Sequence, residues 1–81
     1  MNVKVKLFAI YQEVFDRSEL DLILDSNTTV EDVLSSLIEE KPELKQWQDV
    51  TRFGVNLQFV ESNTILNDGD ELVLIPPVSG G

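Results

Sequence analysis

Cysteine and histidine are both missing from this 81-residue chain, and the two absences remove much of ordinary protein chemistry. Without thiols there is no disulfide framework and no thiolate nucleophile. Without imidazoles there is no general base tuned near neutral pH, and without either there is no ordinary structural zinc site. Basic residues are scarce too: six Lys and Arg stand against fifteen Asp and Glu, a formal charge of −9. Such a surface repels phosphate backbones and anionic headgroups, which argues against nucleic acid and membrane as partners. No apolar run has the length of a bilayer span. Met1-Asn2-Val3-Lys4 leads straight into an alternating pattern, so no secretory signal is expected and the cytoplasm is the expected compartment. Few enzyme mechanisms survive these exclusions.

What the chain does have is aliphatic residues along its whole length, 42% hydrophobic in all, too many for a disordered segment. A chain of this size makes one domain and buries roughly 60% of its unfolded surface. Val3, Val5 and Leu7 alternate with Lys4 and Lys6, the period of a half-buried strand. Leu20, Leu22 and Leu24 alternate with Glu19, Asp21 and Ile23 as a hairpin partner. The connection between them, through Asp16-Arg17-Ser18, is long and its geometry stays open. Thr29-Val30-Glu31-Asp32 places a hydroxyl at a helix N-cap and a carboxylate three residues on. Val30, Val33, Leu34, Leu37 and Ile38 then recur at helical spacing. That helix should stop near Lys41, because Pro42 disfavours helical geometry before it.

No clear period runs from Pro42 to Val50, so this stretch is expected to be irregular with at most a short turn of helix, and Trp47 within it is read as partial core. Phe53, Val55, Leu57 and Phe59 alternate with Asn56 and Gln58 as a third strand. Asn67-Asp68-Gly69-Asp70 spells a turn, and Glu71 to Ile75 is the last strand. Leu72, Val73, Leu74 and Ile75 are apolar on both faces, as inside a sheet. The expected fold class is α+β, one mixed sheet packed on one main helix, with a domain over residues 1–75 and a flexible tail over 76–81.

Pro76-Pro77-Val78-Ser79-Gly80-Gly81 follows the last strand directly. Two prolines cannot donate to a sheet ladder, so regular structure should end there. Six extended residues at about 3.1 Å each reach roughly 19 Å, enough to enter another protein's active site. Two glycines make the leading end thin. The chain ends in a carboxylate, a poor electrophile until transfer of adenylate from ATP makes a mixed anhydride open to sulfur or nitrogen nucleophiles. A bare Gly-Gly is otherwise just a frayed end.

The run from Leu66 to Gly81, Leu-Asn-Asp-Gly-Asp-Glu-Leu-Val-Leu-Ile-Pro-Pro-Val-Ser-Gly-Gly, resembles the ending of the molybdopterin synthase small subunit, the MoaD family. Val3 to Ala9 is similar to that family's first strand ending in Phe-Ala, Thr29 to Asp32 to its helix start, and Val55-Asn56 to its third strand. The resemblance implies a ubiquitin-like β-grasp fold. It also implies a carrier rather than a catalyst. An ATP-dependent adenylating enzyme would activate Gly81, a sulfur donor would convert it to a thiocarboxylate, and the large synthase subunit would pass that sulfur to a pterin precursor as the dithiolene that holds molybdenum. No cofactor would be bound by the chain itself; ATP belongs to the activating enzyme. The implied assembly is a heterotetramer, with Pro76, Pro77, Val78, Ser79 and Gly80 threading the large subunit's active site. Phe8, Phe59, Val73 and Ile75 would form its interface, unless a loop or strand covers them.

Gln12-Glu13 and Val14-Phe15-Asp16 depart from the family's Arg-Glu and its loop glycine, so the first connection is expected to be shaped differently. Asp68, Asp70 and Glu71 lack the ligand spacing of a calcium loop and read as turn chemistry. Glu39, Glu40 and Glu43 read as a solvated face. Three other functions fit the tail: a sulfur carrier of another pathway such as thiamin (the ThiS family), a ubiquitin-like modifier joined through Gly81 to lysine amines, or a binding module with an inert tail.

Overall fold

In the computed structural model, which describes residues 1–77, the alternation of Val3, Val5 and Leu7 with lysines becomes strand β1 (Asn2–Leu7), its three aliphatics fully buried. β2 (Glu19–Ile23) returns antiparallel, with Val5 opposite Leu20 and Val3 opposite Leu22. The connection left open by the sequence holds a short helix, α1 (Ile10–Phe15). It begins at Ala9 in a conformation that favours glycine, φ 51 and ψ −123, as the Tyr11 N–H donates to the Phe8 carbonyl at 3.1 Å. Six residues are fewer than two turns, too short for a helical period to stand out. Only Tyr11 of this helix is buried.

Helix α2 (Val30–Glu40) starts with the expected reciprocal cap. The Asp32 N–H donates to Thr29 Oγ1 at 3.1 Å and the Thr29 N–H to Asp32 Oδ2 at 2.9 Å. Val30, Val33, Leu34, Leu37 and Ile38 are the buried stripe. Pro42–Val50, expected to be irregular, is a 3-10 helix with Pro42 in its first turn. Its period is three residues per turn: Leu44 is fully buried and Trp47, three residues on, packs against the core. A search for the 3.6 period passes over such a segment.

The run from Phe53 to Phe59, expected as one strand, is a hairpin: β3 (Arg52–Val55) and β4 (Gln58–Val60) pair antiparallel around Asn56-Leu57. Both turn residues have positive φ, 49 and 72, as a two-residue hairpin matched to strand twist requires. The turn shifts the inward parity from odd to even positions, but the exposed Leu57 and Phe59 are themselves apolar, so the odd-numbered apolar spelling runs on across it and hides the reversal. Asn56 suits its place. Its side-chain amide donates to Asp70 Oδ1 at 2.9 Å and its Oδ1 accepts the Glu71 N–H at 3.0 Å. Leu57 does not, since it sits in the left-handed region with 93% of its surface exposed. Relief of about 1–2 kcal/mol of steric cost, set against about 0.5–1 kcal/mol of extra chain entropy, is expected to make Leu57→Gly more stable by about 0.5–1 kcal/mol. A thermal melt would show the midpoint a few degrees higher; a lower midpoint would contradict this account of the turn.

β5 (Glu71–Ile75) follows the expected turn, where Gly69 takes φ 87 and the Asn67 N–H donates to Asp70 Oδ2 at 2.8 Å. It lies in mid-sheet, parallel to β1 and antiparallel to β3, in the order β2-β1-β5-β3-β4. The inward residues Leu72 and Leu74 join Val3, Val5, Leu7 and Phe53 against α2. This is the α+β, β-grasp arrangement, with five strands where four were expected.

Candidate functional site

Register determines which side chains share the sheet face turned away from α2. Lys6 stands beside Val73, Val73 opposite Gly54, and Gly54 opposite Phe59, while Arg52 stands opposite Ile75. Since cross-strand partners point to the same side, one apolar row crosses β5, β3 and β4. Phe59 is 76% exposed there, and Val73 and Ile75 are half-buried. Gly54 lacks a side chain in the middle of this row. Together with Leu57, Phe59, Val73 and Ile75 it forms a notch of about 200 Å³. Three of the four expected interface residues are therefore brought together. No loop or strand among the described residues covers Phe59.

Phe8, the fourth, is half-exposed at the end of β1 and lines a different groove of about 540 Å³ with Ile10, Trp47, Ile75, Pro76 and Pro77. Ile75 belongs to both, so the apolar row runs on to the two prolines that leave β5. A second groove, lined by Val50, Thr51 and Arg52, flanks the same prolines on the other side. Pro76 and Pro77 thus leave the sheet between two walls. The expected tail residues Val78, Ser79, Gly80 and Gly81 lie outside the described residues.

Charge divides the molecule sharply. On the outer face Lys4, Lys6 and Arg52 balance Glu19, Asp21 and Glu71, so the formal −9 is carried entirely elsewhere, by twelve acidic and three basic side chains. Glu19 Oε2 lies 3.1 Å from Lys6 Nζ and 3.8 Å from Lys4 Nζ. The hydrogen bond from Lys6, then the charge of Lys4, hold the Glu19 carboxyl below its ordinary range, and the same contact pushes the Lys6 ammonium up. The Lys6 and Glu19 side chains are 37% and 40% exposed, and water screens the pair. No lysine with a resolved shift is lowered toward a nucleophilic amine.

Among the described residues, no group of three or more His, Cys, Asp or Glu could hold a metal ion. The Asp68 and Asp70 carboxylates instead accept backbone N–H groups, at 2.6 Å from Asn2 and 2.8 Å from Asn67, as turn chemistry requires. No described helix is long and apolar enough to cross a membrane. What the outer face offers is an exposed apolar row that leads to Pro76 and Pro77.

The ThiS family model matches residues 5–81. The chain belongs to the ThiS family. Among its relatives it is similar to the molybdopterin synthase sulfur carrier subunit of Chlamydomonas reinhardtii, 35% identical over 83 residues and covering 100% of both chains. It is also similar in structure to SAMP1 from Haloferax volcanii, with a TM-score of 0.82, 30% identity and 100% of each chain covered. A protein-protein complex of subunits 1 and 2 of the molybdopterin-converting factor from Helicobacter pylori contains a chain that matches at a TM-score of 0.66 and 29% identity, again over 100% of both chains. The full-length likeness to a molybdopterin synthase sulfur carrier subunit agrees with the resemblance read from the sequence ending, the family model carries the name of the alternative carrier, and the ubiquitin-like fold fits both.

Two features of this family member escaped the sequence. Leu57, expected within the third strand, instead occupies the hairpin turn and stands at the rim of the notch. Asn56 before it was the available signal, because asparagine tolerates a positive φ. Trp47 packs partly against the core, as expected, and it also forms a wall beside Pro76 and Pro77. Nothing in the local spelling around Trp47 points to that second role.

Proposed function

We propose that this chain is the sulfur-carrying small subunit of a molybdopterin synthase, working in the cytoplasm, with sulfur borne as a thiocarboxylate on Gly81. The observation that carries the reading is the course of β5. Its outward residues Val73 and Ile75 belong to the exposed apolar row, and the same strand runs directly into Pro76 and Pro77. A partner that buries this row receives the tail at a fixed distance. The partner is the large subunit, in a heterotetramer, and the likeness to one chain of the Helicobacter complex supports that choice.

The chemistry falls to partners, which suits a chain with neither Cys nor His. In an adenylating enzyme the Gly81 carboxylate attacks the α-phosphate of ATP and pyrophosphate leaves. Hydrosulfide released by a donor then displaces AMP, which carries away one carboxyl oxygen, and loss of the S–H proton leaves the thiocarboxylate. Inside the large subunit the thiocarboxylate sulfur attacks a carbon of the pterin precursor and displaces an oxygen substituent there; water then cleaves the acyl–sulfur bond of the resulting thioester, leaving sulfur on the pterin and returning Gly81 to its carboxylate. Two such cycles supply both dithiolene sulfurs. Acidic residues away from the docking face leave that face free for apolar contact while raising solubility.

Intact mass after incubation with adenylating enzyme, ATP and a sulfur source is expected to rise by the difference between one sulfur and one oxygen. Deletion of Gly81 should abolish the rise. No rise, with those enzymes active on another carrier, would overturn the reading. A second reading, a ubiquitin-like modifier using the same activation with a lysine amine as acceptor, draws support from the likeness to SAMP1. Isopeptide conjugates through Gly81 in extracts would favour it, and restoration of thiamin rather than molybdopterin synthesis would favour a carrier of that pathway.

A further inference from the structure

We propose that Tyr11 is a positioning residue for the carrier end of the chain: through Thr51 it ties together the walls between which Pro76 and Pro77 leave the sheet. The tyrosine is fully buried, and its Oη lies 2.5 Å from Thr51 Oγ1. Thr51 is itself buried, and its hydroxyl donates to the Trp47 carbonyl at 2.7 Å. A threonine hydroxyl has a single proton. Since a carbonyl only accepts, that proton is committed to Trp47, and Tyr11 must be the donor to Thr51. The relay therefore runs one way, from α1 through the first residue before β3 to the 3-10 helix.

Those three segments are the ones that build the walls. Phe8, Ile10 and Trp47 line one groove beside Pro76 and Pro77, and Thr51 and Arg52 line the other. Thr51 directly precedes Arg52, the ladder partner of Ile75 and the last pairing of β5. Beyond it two prolines have no N–H to donate, so no ladder hydrogen bond aims the chain, and the walls must. Phenylalanine would fill the space around Tyr11 without a buried hydroxyl to satisfy. Burial pushes the Tyr11 phenol up, so it stays protonated and able to donate throughout the ordinary pH range. A shift of about 1 Å in a reacting group costs up to about 100-fold in rate, and a tail that must enter a channel amplifies a small change of exit angle.

The consequence for activity rests on the carrier reading; the structural half does not. In Tyr11→Phe, residual dipolar couplings from β1, β3 and β5 should match the wild type, whereas those of the Pro76 and Pro77 Cα–Hα bonds should shrink or change sign. At saturating adenylating enzyme and ATP with a sulfur donor, the rate of Gly81 thiocarboxylate formation should fall about tenfold, with the dissociation constant for that enzyme held within about twofold. Thr51→Ser, which keeps the relay, should match wild type in both respects, and Thr51→Val, which breaks it without emptying the site, should repeat the Tyr11→Phe result. Proline couplings and rate unchanged in both Tyr11→Phe and Thr51→Val would overturn the proposal. So would a rate loss that only follows weakened binding. If the wild-type chain is not activated at all, the carrier reading fails and the couplings alone decide this one.

Discussion

Phe59→Ala is expected to weaken binding of the large synthase subunit by about 30-fold or more while shifting the thermal midpoint by only a few degrees. The asymmetry follows from where the ring sits. With 76% of its surface exposed, Phe59 buries little against its own domain, so truncation leaves almost no cavity. Its place is at one side of the notch, across the ladder from Gly54, with Val73 and Ile75 beyond. Aromatic residues at the centre of an interface are the ones whose loss costs about 2 kcal/mol or more, and about 1.4 kcal/mol is a factor of ten. Titration calorimetry against the large subunit measures this directly. An unchanged affinity would move the docking surface off the apolar row and onto the acidic helix side.

The architecture was legible where one period governed one element. Val3 to Leu7, the Thr29 cap with its stripe to Ile38, and the Asn67 to Asp70 turn each carry their signal within a few residues, and each forms as read. What could not be read has a physical cause in each case. Helix α1 is shorter than the window a helical period needs, and the 3-10 helix obeys a period of three. The Asn56-Leu57 turn is hidden because, although pairing Val55 with Gln58 shifts the inward parity by one, the exposed Leu57 and Phe59 are apolar and continue the odd-numbered pattern across it. The candidate site divides in the same way. Val73 and Ile75 could be assigned outward from strand parity alone, because Leu72 and Leu74 claim the core. Phe59 by alternation belonged with Phe53 on the inner face, and only the hidden turn brings it outward opposite Gly54. Tyr11 and Thr51, forty positions apart, meet through tertiary packing that no local pattern encodes.

Parity along β5 also separates stability from function at adjacent residues. Leu74 is fully buried, paired with Leu7 on one side and Phe53 on the other, and packed with them in the core beneath α2. Leu74→Ala removes three carbons from a site held by strands on both sides, which can collapse little, so the loss should be about 3–4 kcal/mol. An 81-residue domain has only about 4–12 kcal/mol to lose, and the midpoint should drop by about 15–25 °C. Ile75→Ala, one residue on, removes side-chain contact from the outer face, where Ile75 is half-buried and borders both grooves. Its thermal cost should stay within about 1.5 kcal/mol, and its main effect should appear in binding of the large subunit. Comparable midpoints for the two variants would mean that the outer face of β5 is as fully packed as the inner one. The apolar row would then be structural, and docking would have to be sought elsewhere.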